Sequence, residues 1–194
     1  MDLLLVRHGH TQRIEGAAGP ADPGLTAEGH QQAEALAKWL SVEEVDALYA
    51  SPLRRARETA DPVARALGLE VEVADGLAEW DRDADSYIPI EELRGTSDPR
   101  WQELVTGEWT SIEGDPLSFQ RAVVEAIDHL IDENPSRRVV AICHGGVINA
   151  YVAYVLGIAS PLFFEPAYTS VSRVRAARSG PRSIVSINET GHLR

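Results

Sequence analysis

Two stretches of this 194-residue chain carry an apolar run into the same pair of residues. Leu5-Val6-Arg7-His8-Gly9 and Ala141-Ile142-Cys143-His144-Gly145-Gly146 both pass from aliphatic side chains into His-Gly. Neutral imidazole is a nucleophile and a general base near neutral pH. In open α/β sheets, ligands sit outside the carboxyl ends of the strands, where the strand order switches. Two histidines leaving two central strands at that edge could face each other, with Arg7 beside them. The glycines would let backbone N–H groups approach an anion, and Gly145-Gly146 would open a helix whose N-terminus favours negative charge. A third stretch, Ser51-Pro52-Leu53-Arg54-Arg55-Ala56-Arg57-Glu58-Thr59-Ala60, also follows a strand and opens a helix. Cations there oppose the helix dipole, so at least one of its arginines is expected to serve an oxyanion rather than the helix. The chemistry suggested is catalysis by a histidine on an oxyanion, such as a phosphate, held in a cationic pocket.

The elements that must hold these residues are legible from periodicity. Leu3–Val6 reads as a buried strand. From Thr26, a helix cap, Ala33, Leu36, Ala37 and Leu40 recur at spacings of three and four. Ala47–Ala50 is a second strand. Ser51 and Pro52 are expected to cap and start a helix that Gly68 stops after Leu67. Glu70–Val73 alternates as a third strand. Pro116–Asn134 is helical with Phe119, Val123, Ile127 and Leu130 on one face, Arg138–Ile142 is a strand and Gly146–Leu156 a helix. Two more strands fall within Thr169–Ala176 and Ser183–Asn188. Between about 80 and 115, Pro89, Gly95, Pro99, Gly107 and Gly114 interrupt the pattern while Trp80, Trp101 and Trp109 supply bulk, so this segment reads as an irregular cap insertion. Strands alternating with helices predict one α/β domain over residues 1–194, a three-layer α/β/α sandwich around a mainly parallel sheet.

The formal net charge is −12. Such a field repels nucleic acid and anionic lipid, and it would repel a phosphorylated substrate unless a local cation cluster reversed it. Neither a nucleic-acid partner nor a membrane partner is expected. With 44% hydrophobic and 25% charged residues the composition is that of a globular domain. A lone cysteine, Cys143, permits no internal disulfide, no run reaches the length of a membrane span, and Met1–Val6 lacks a basic leader region, so a cytoplasmic protein is expected.

These residues resemble the histidine phosphatase (phosphoglycerate-mutase-like) superfamily. Arg7-His8-Gly9-His10-Thr11 is similar to its Arg-His-Gly-x-Thr signature. Asp22-Pro23-Gly24-Leu25-Thr26 through Gly29, Gln32 and Ala33 resembles the stretch that follows it, and Ser51–Ala60 resembles S-x-L-x-R-A-x-x-T-A. Gly76-Leu77-Ala78-Glu79 resembles the family's L-x-E segment, and Cys143–Ile148 its second-histidine segment. The resemblance covers nearly the whole chain in order. It implies that His8 is the phosphorylated nucleophile and Glu79 the proton donor, with Arg7, Thr11, Arg55, His144 and Gly145 around the phosphate. Asp81 is the second candidate for the acid. It also implies a single domain that needs no metal and no cofactor, acting on a small phosphorylated metabolite such as a sugar phosphate or a phosphoglycerate-like acid; a homodimer is the assembly to test. Two departures stand out. Ile14 occupies the place of an asparagine, and Trp80-Asp81-Arg82-Asp83-Ala84-Asp85 replaces the usual G-x-W-E-G.

The implied chemistry is consistent with the residues themselves. Phosphoryl transfer spreads charge over three oxygens in an in-line transition state, which fixed guanidinium forks and a protonated His144 would stabilise. Trp80, Trp101, Trp109, Tyr87, Arg82, Arg94 and Arg100 are candidates for the leaving-group pocket. Four rival readings remain on the sequence alone: a metal hydrolase using His8, His10 and His144, a Cys143–His144 thiol pair, a mutase, and a phosphate-binding module without turnover.

Overall fold

The computed structural model describes residues 1–95, 98–108, 110, 114–160, 162–177 and 180–194; Trp109 lies outside the described residues. The first strand, β1 (Asp2–Arg7), places Leu3, Leu4, Leu5 and Val6 fully out of solvent on both faces. That unbroken burial is what a central parallel strand requires. It is followed by α1 (Ala27–Leu40), β2 (Ala47–Ala50), α2 (Arg54–Leu67) and β3 (Val71–Val73). Two short helices come next, α3 (Ile90–Gly95) and α4 (Pro99–Thr106), then α5 (Pro116–Glu133), β4 (Arg138–Cys143), α6 (Gly145–Leu156), β5 (Val171–Ala176) and β6 (Arg182–Glu189).

The six strands form one sheet in the order β3-β2-β4-β1-β5-β6. Pairings β3–β2, β2–β4 and β4–β1 are parallel, while β5 and β6 complete one side antiparallel. Alternation along the central strands divides the core into two layers. Leu3, Leu5, Tyr49, Val139, Ala141 and Cys143 pack under α5 and α6. Leu4, Val6, Leu48, Ala50, Val140 and Ile142 pack under α1 and α2. The three-layer sandwich therefore stands. The chain leaves β1 toward the α1/α2 face and leaves the neighbouring β4 toward the α5/α6 face. The crevice between them is the switch point where a ligand site is expected.

Three local expectations change. The helix after β2 begins at Arg54 with Leu53 as its N-cap; Ser51 Oγ accepts from Leu53 N at 3.2 Å just ahead of the helix and lies 2.7 Å from His144 Nε2. Residues 80–115 are less irregular than their glycines and prolines suggest, because α3 and α4 form there. Asp98 caps α4 by accepting from Arg100 N, with Pro99 following it. Trp80, Ile88, Ile90, Trp101 and Leu162 gather around Leu93 and Leu104 as a small separate core. Arg82, Arg94 and Arg100 do not line the cavity beneath it.

The loop after β1 is locked by α1 through two glycines. A Cβ on Gly9 would stand 2.7 Å from the Gly29 carbonyl oxygen, and one on Gly29 would collide with the His10 carbonyl oxygen. Backbone meets backbone here, so neither side can yield cheaply. Gly29→Ala should therefore destabilise the protein by about 1–3 kcal/mol, read as a lower urea midpoint with an unchanged slope. Because the loop that must move begins at His8, activity should fall in the same variant under conditions where it remains folded.

Candidate active site

The parallel register sets Arg7 opposite Cys143 and Ala50 opposite Ile142, so His8, Ser51 and His144 are the first residues past three adjacent strands. His8 continues the ladder for one step, donating from its N–H to Cys143 O at 3.0 Å, while its carbonyl accepts from Thr169 N at 3.3 Å. Its ring lies 5.1 Å from that of His144, centroid to centroid. The echo of two His-Gly turns thus places two imidazoles side by side.

Nδ1 of His8 is 2.8 Å from the Gly9 carbonyl oxygen. A carbonyl only accepts, so Nδ1 carries the proton and Nε2 holds the lone pair, on a ring that lines the cavity. Burial, with the Arg55 and Arg7 charges reinforcing it, holds the His8 pKa well below the ordinary imidazole value. The ring is accordingly neutral and nucleophilic at physiological pH. Gly9 N donates to Thr59 Oγ1 at 3.0 Å, and that hydroxyl donates to Arg55 O at 2.7 Å. The His8–Gly9 loop and the start of α2 are therefore one hydrogen-bonded unit.

Both arginines are held before any substrate arrives. Arg7 Nη1 donates to Pro166 O at 2.6 Å, and its guanidinium lies 3.9 Å over the Tyr168 ring. Its buried Nε has no hydrogen-bond partner among the described residues, a donor left for a ligand. Arg55 donates from Nη2 to Asp81 Oδ1 and from Nε to His144 Nδ1, both at 3.3 Å, with Tyr87 4.5 Å beneath it. Ile14 exchanges both backbone hydrogen bonds with Tyr87, so the residue standing where an asparagine was expected positions an aromatic platform for Arg55. Of the arginines opening α2, the Arg55 side chain is 1% exposed and that of Arg54 63%, the latter paired with Glu58.

His144 departs from its expected part. Its Nδ1 accepts from Arg55, its Nε2 faces Ser51 Oγ, and burial with the two arginines pushes its pKa well down. It is a neutral ring behind Arg55, not a charged donor on the cavity wall. Thr11 is also not on that wall: it pairs with Leu25 in an isolated bridge and is buried beside the Tyr87 hydroxyl. Gly145 does line the cavity, as the first residue of α6.

Glu79 Oε2 accepts from Gly146 N at 2.8 Å and Oε1 from Trp80 N at 3.2 Å. Gly146 is required there, because a Cβ would strike the carboxylate. Burial raises the Glu79 pKa, the Asp81 charge adds to it, and together they bring it to about 7. Burial raises Asp81 as well, against the pull of Arg55. A carboxyl still protonated near neutrality, across a cavity from an unprotonated imidazole, is an acid–nucleophile arrangement. Asp81, bonded to Arg55, reads as the group that sets both the arginine's position and its neighbour's proton affinity.

Two rival readings lose their geometry. His10 is turned away, its Nδ1 2.8 Å from Thr26 Oγ1 and its ring edge-on to Tyr168, and the described residues contain no cluster of three or more His, Cys, Asp or Glu side chains suited to a metal ion. Cys143 points into the α5/α6 core, where burial pushes its thiol up.

The sequence profile of the histidine phosphatase superfamily (branch 1) matches residues 3–190. The chain belongs to that superfamily. Phosphoserine phosphatase 1 of Hydrogenobacter thermophilus is 29% identical over 98% of this chain and 93% of its own length. A bifunctional protein of Mycobacterium tuberculosis is 31% identical over 98% of this chain, which spans 54% of that protein. Among solved structures, phosphoserine phosphatase of Entamoeba histolytica in complex with 3-phosphoglyceric acid superposes with a TM-score of 0.77, at 26% identity, covering 100% of this chain and 99% of that one. This histidine phosphatase is a phosphoric monoester hydrolase of small phosphorylated molecules. Among its described residues no helix is long and apolar enough to cross a membrane.

Two outcomes follow from this geometry. Arg55→Ala should lower kcat/KM by roughly 100-fold or more, as loss of a preorganised charge donor does, whereas Arg54→Ala should stay within about threefold, since an exposed pair contributes little; steady-state assays of both variants with p-nitrophenyl phosphate decide it. The raised Glu79 pKa places the alkaline limb of kcat/KM for alkyl phosphates near pH 7, because the protonated form is lost as pH climbs through that value. Asp81→Asn removes the like charge that helps keep the proton on Glu79, so the limb should move to lower pH. A limb that stays put or moves upward would exclude this coupling.

Proposed function

We propose that this histidine phosphatase transfers the phosphoryl group of a small monoester to Nε2 of His8 and then to water. The observation that carries the reading is the pinned, neutral His8 ring set between two prearranged guanidinium groups, with a protonated Glu79 across the cavity. Arg7 and Arg55 hold the phosphoryl oxygens, assisted by the α6 N-terminus at Gly145. As the P–N bond forms, the ester P–O bond breaks and Glu79 gives its proton to the departing alcohol oxygen. Water then attacks the phosphohistidine, yielding its proton to the Glu79 carboxylate. The P–N bond breaks, inorganic phosphate leaves, and His8 and Glu79 return to their starting forms.

In this reading His144 acts through Arg55, fixing its Nε and filling the space behind His8. Ser51 fixes His144 in turn. Tyr168 and Tyr87 hold the two guanidinium planes flat, so little side-chain freedom is lost when phosphate binds. The segment around α3 and α4 serves as the cap that covers the leaving group, and Arg7 and Arg55 supply the positive charge that the phosphoryl oxygens need.

A rapid-mixing experiment with a 32P-labelled monoester, stopped in alkali, should capture a label on His8 that is released by acid. His8→Ala should retain the fold by circular dichroism and lose both label and turnover. Labelling of a serine, or turnover undiminished in His8→Ala, would exclude the mechanism.

A further inference from the structure

Beyond the phosphate clamp the cavity extends to about 450 Å³, well past what a phosphoryl group occupies. Its outer wall is built from Trp80, Ile88, Ile90, Leu93, Leu104 and Phe119. The charges along it are unevenly signed. Arg7 and Arg55 are its cations among the described residues, both at the phosphate end; apart from the neutral His8 and Tyr87, every other ionisable side chain lining it is a carboxylic acid or carboxylate, namely Glu79, Asp81, Asp115 and Glu165.

The cap does contain cations, but acids already hold them. Arg94 Nη1 donates to Glu165 at 2.8 Å, and Arg100 grips Asp98 through two bonds at 2.9 and 2.6 Å. Arg13 is shared between Glu15 and Glu92. Arg82 is exposed and off the wall. The sequence from 80 to 115 has no further arginine, lysine or histidine.

A carboxylate on the leaving group would enter a chamber walled largely by apolar side chains, face acids, and find no donor of opposite charge among the described residues. Leaving such a group unpaired and out of water is among the costliest events in binding. An apolar leaving group would shed water against six large side chains at no electrostatic cost. We infer that this site takes phosphomonoesters of uncharged, largely apolar alcohols and discriminates against esters that carry a carboxylate, such as 3-phosphoglycerate and phosphoserine. The inference rests on the phosphatase reading above and specifies its substrate class.

The test compares kcat/KM of the purified protein for 2-phenylethyl phosphate, 3-phosphoglycerate and O-phosphoserine, with p-nitrophenyl phosphate, whose leaving group needs no proton, reporting whether the clamp and His8 turn over at all. Preference for 2-phenylethyl phosphate over both acids by roughly 100-fold or more is expected, the size of discrimination that an unpaired polar group imposes. Equal or better turnover of either acid, with p-nitrophenyl phosphate also hydrolysed, overturns the inference and leaves the phosphatase reading intact. Failure to hydrolyse any of the four, with no label on His8, overturns both. A second measurement isolates the electrostatic cause. Leu117 lines the cavity while 63% exposed, so Leu117→Arg adds a cation at the wall without disturbing the core. It should raise the ratio of 3-phosphoglycerate to 2-phenylethyl phosphate turnover by about fivefold or more; an unchanged ratio overturns the explanation by missing charge.

Discussion

Two guanidinium groups are kept almost wholly out of water at one end of a parallel sheet, and most of the surrounding structure answers to that. Desolvating an arginine is expensive, and two of them near each other add mutual repulsion. The fold meets this with partial partners of several kinds. Arg7 has a backbone carbonyl and an aromatic face, and Arg55 has a carboxylate, an imidazole and another aromatic face. None of these supplies a full, close counter-charge, since the one carboxylate contact is 3.3 Å long and Asp81 is itself pushed toward protonation. The positive potential is thus left under-neutralised inside a chain whose net charge is −12. In the proposed mechanism a dianionic phosphoryl group would complete the pair, against donors that need little rearrangement.

The same potential decides the protonation of everything nearby. Both imidazoles are driven to the neutral state by burial and by the arginines. For His8 that is the reactive form. For His144 it removes the charge expected of it and makes it an acceptor for Arg55. Glu79 responds in the opposite sense because burial and Asp81 outweigh the arginine's pull. One environment therefore sets a base without its proton and an acid with its proton on the wall of one cavity, a pairing that free solution at a single pH does not provide.

Where the sequence carries a local signal, the structure follows it closely. Leu3–Val6, Ala47–Ala50 and Arg138–Cys143 are apolar on both faces and become the central strands. The glycines at 68 and 157 end their helices in left-handed conformations, at φ of 67° and 68°. His8, Arg7, Arg55 and Gly145 reach the cavity because each lies at a strand end or a helix start, and Glu79 reaches it just past the single turn of 3-10 helix at Asp75–Leu77. The misreadings share a different origin. Ser51-Pro52 has the pattern of a helix cap, but the hydroxyl is shared with His144, 93 residues away. Thr11 is drawn off by Leu25, and Arg94 by Glu165. Tyr168, which carries Arg7, follows an unremarkable Glu165-Pro166-Ala167 segment and is placed by the turn into β5. Partners so distant in sequence leave no periodicity to read, and only the family motif could have hinted at some of them.

The division of labour between sheet edge and cap has a further consequence for how such a protein can vary. The clamp residues sit on strand ends and helix first turns, tied to one another through Thr59, Gly9, Ser51 and Cys143. A change there propagates to the nucleophile. The cap is built differently, as two short helices closing over a small core of Leu93 and Leu104, with its arginines spent on neighbouring acids. Small, locally packed units of this kind open at low free-energy cost and tolerate substitution. Substrate preference can therefore be rewritten at the cap by one or two side chains while the phosphoryl chemistry beneath it is unaltered, provided that Asp81 and Tyr87, which hold Arg55, are kept and that nothing displaces the Glu79 carboxylate. It is fixed by a backbone amide from each side, Trp80 toward the cap and Gly146 at the sheet edge, and backbone amides persist whatever side chains surround them.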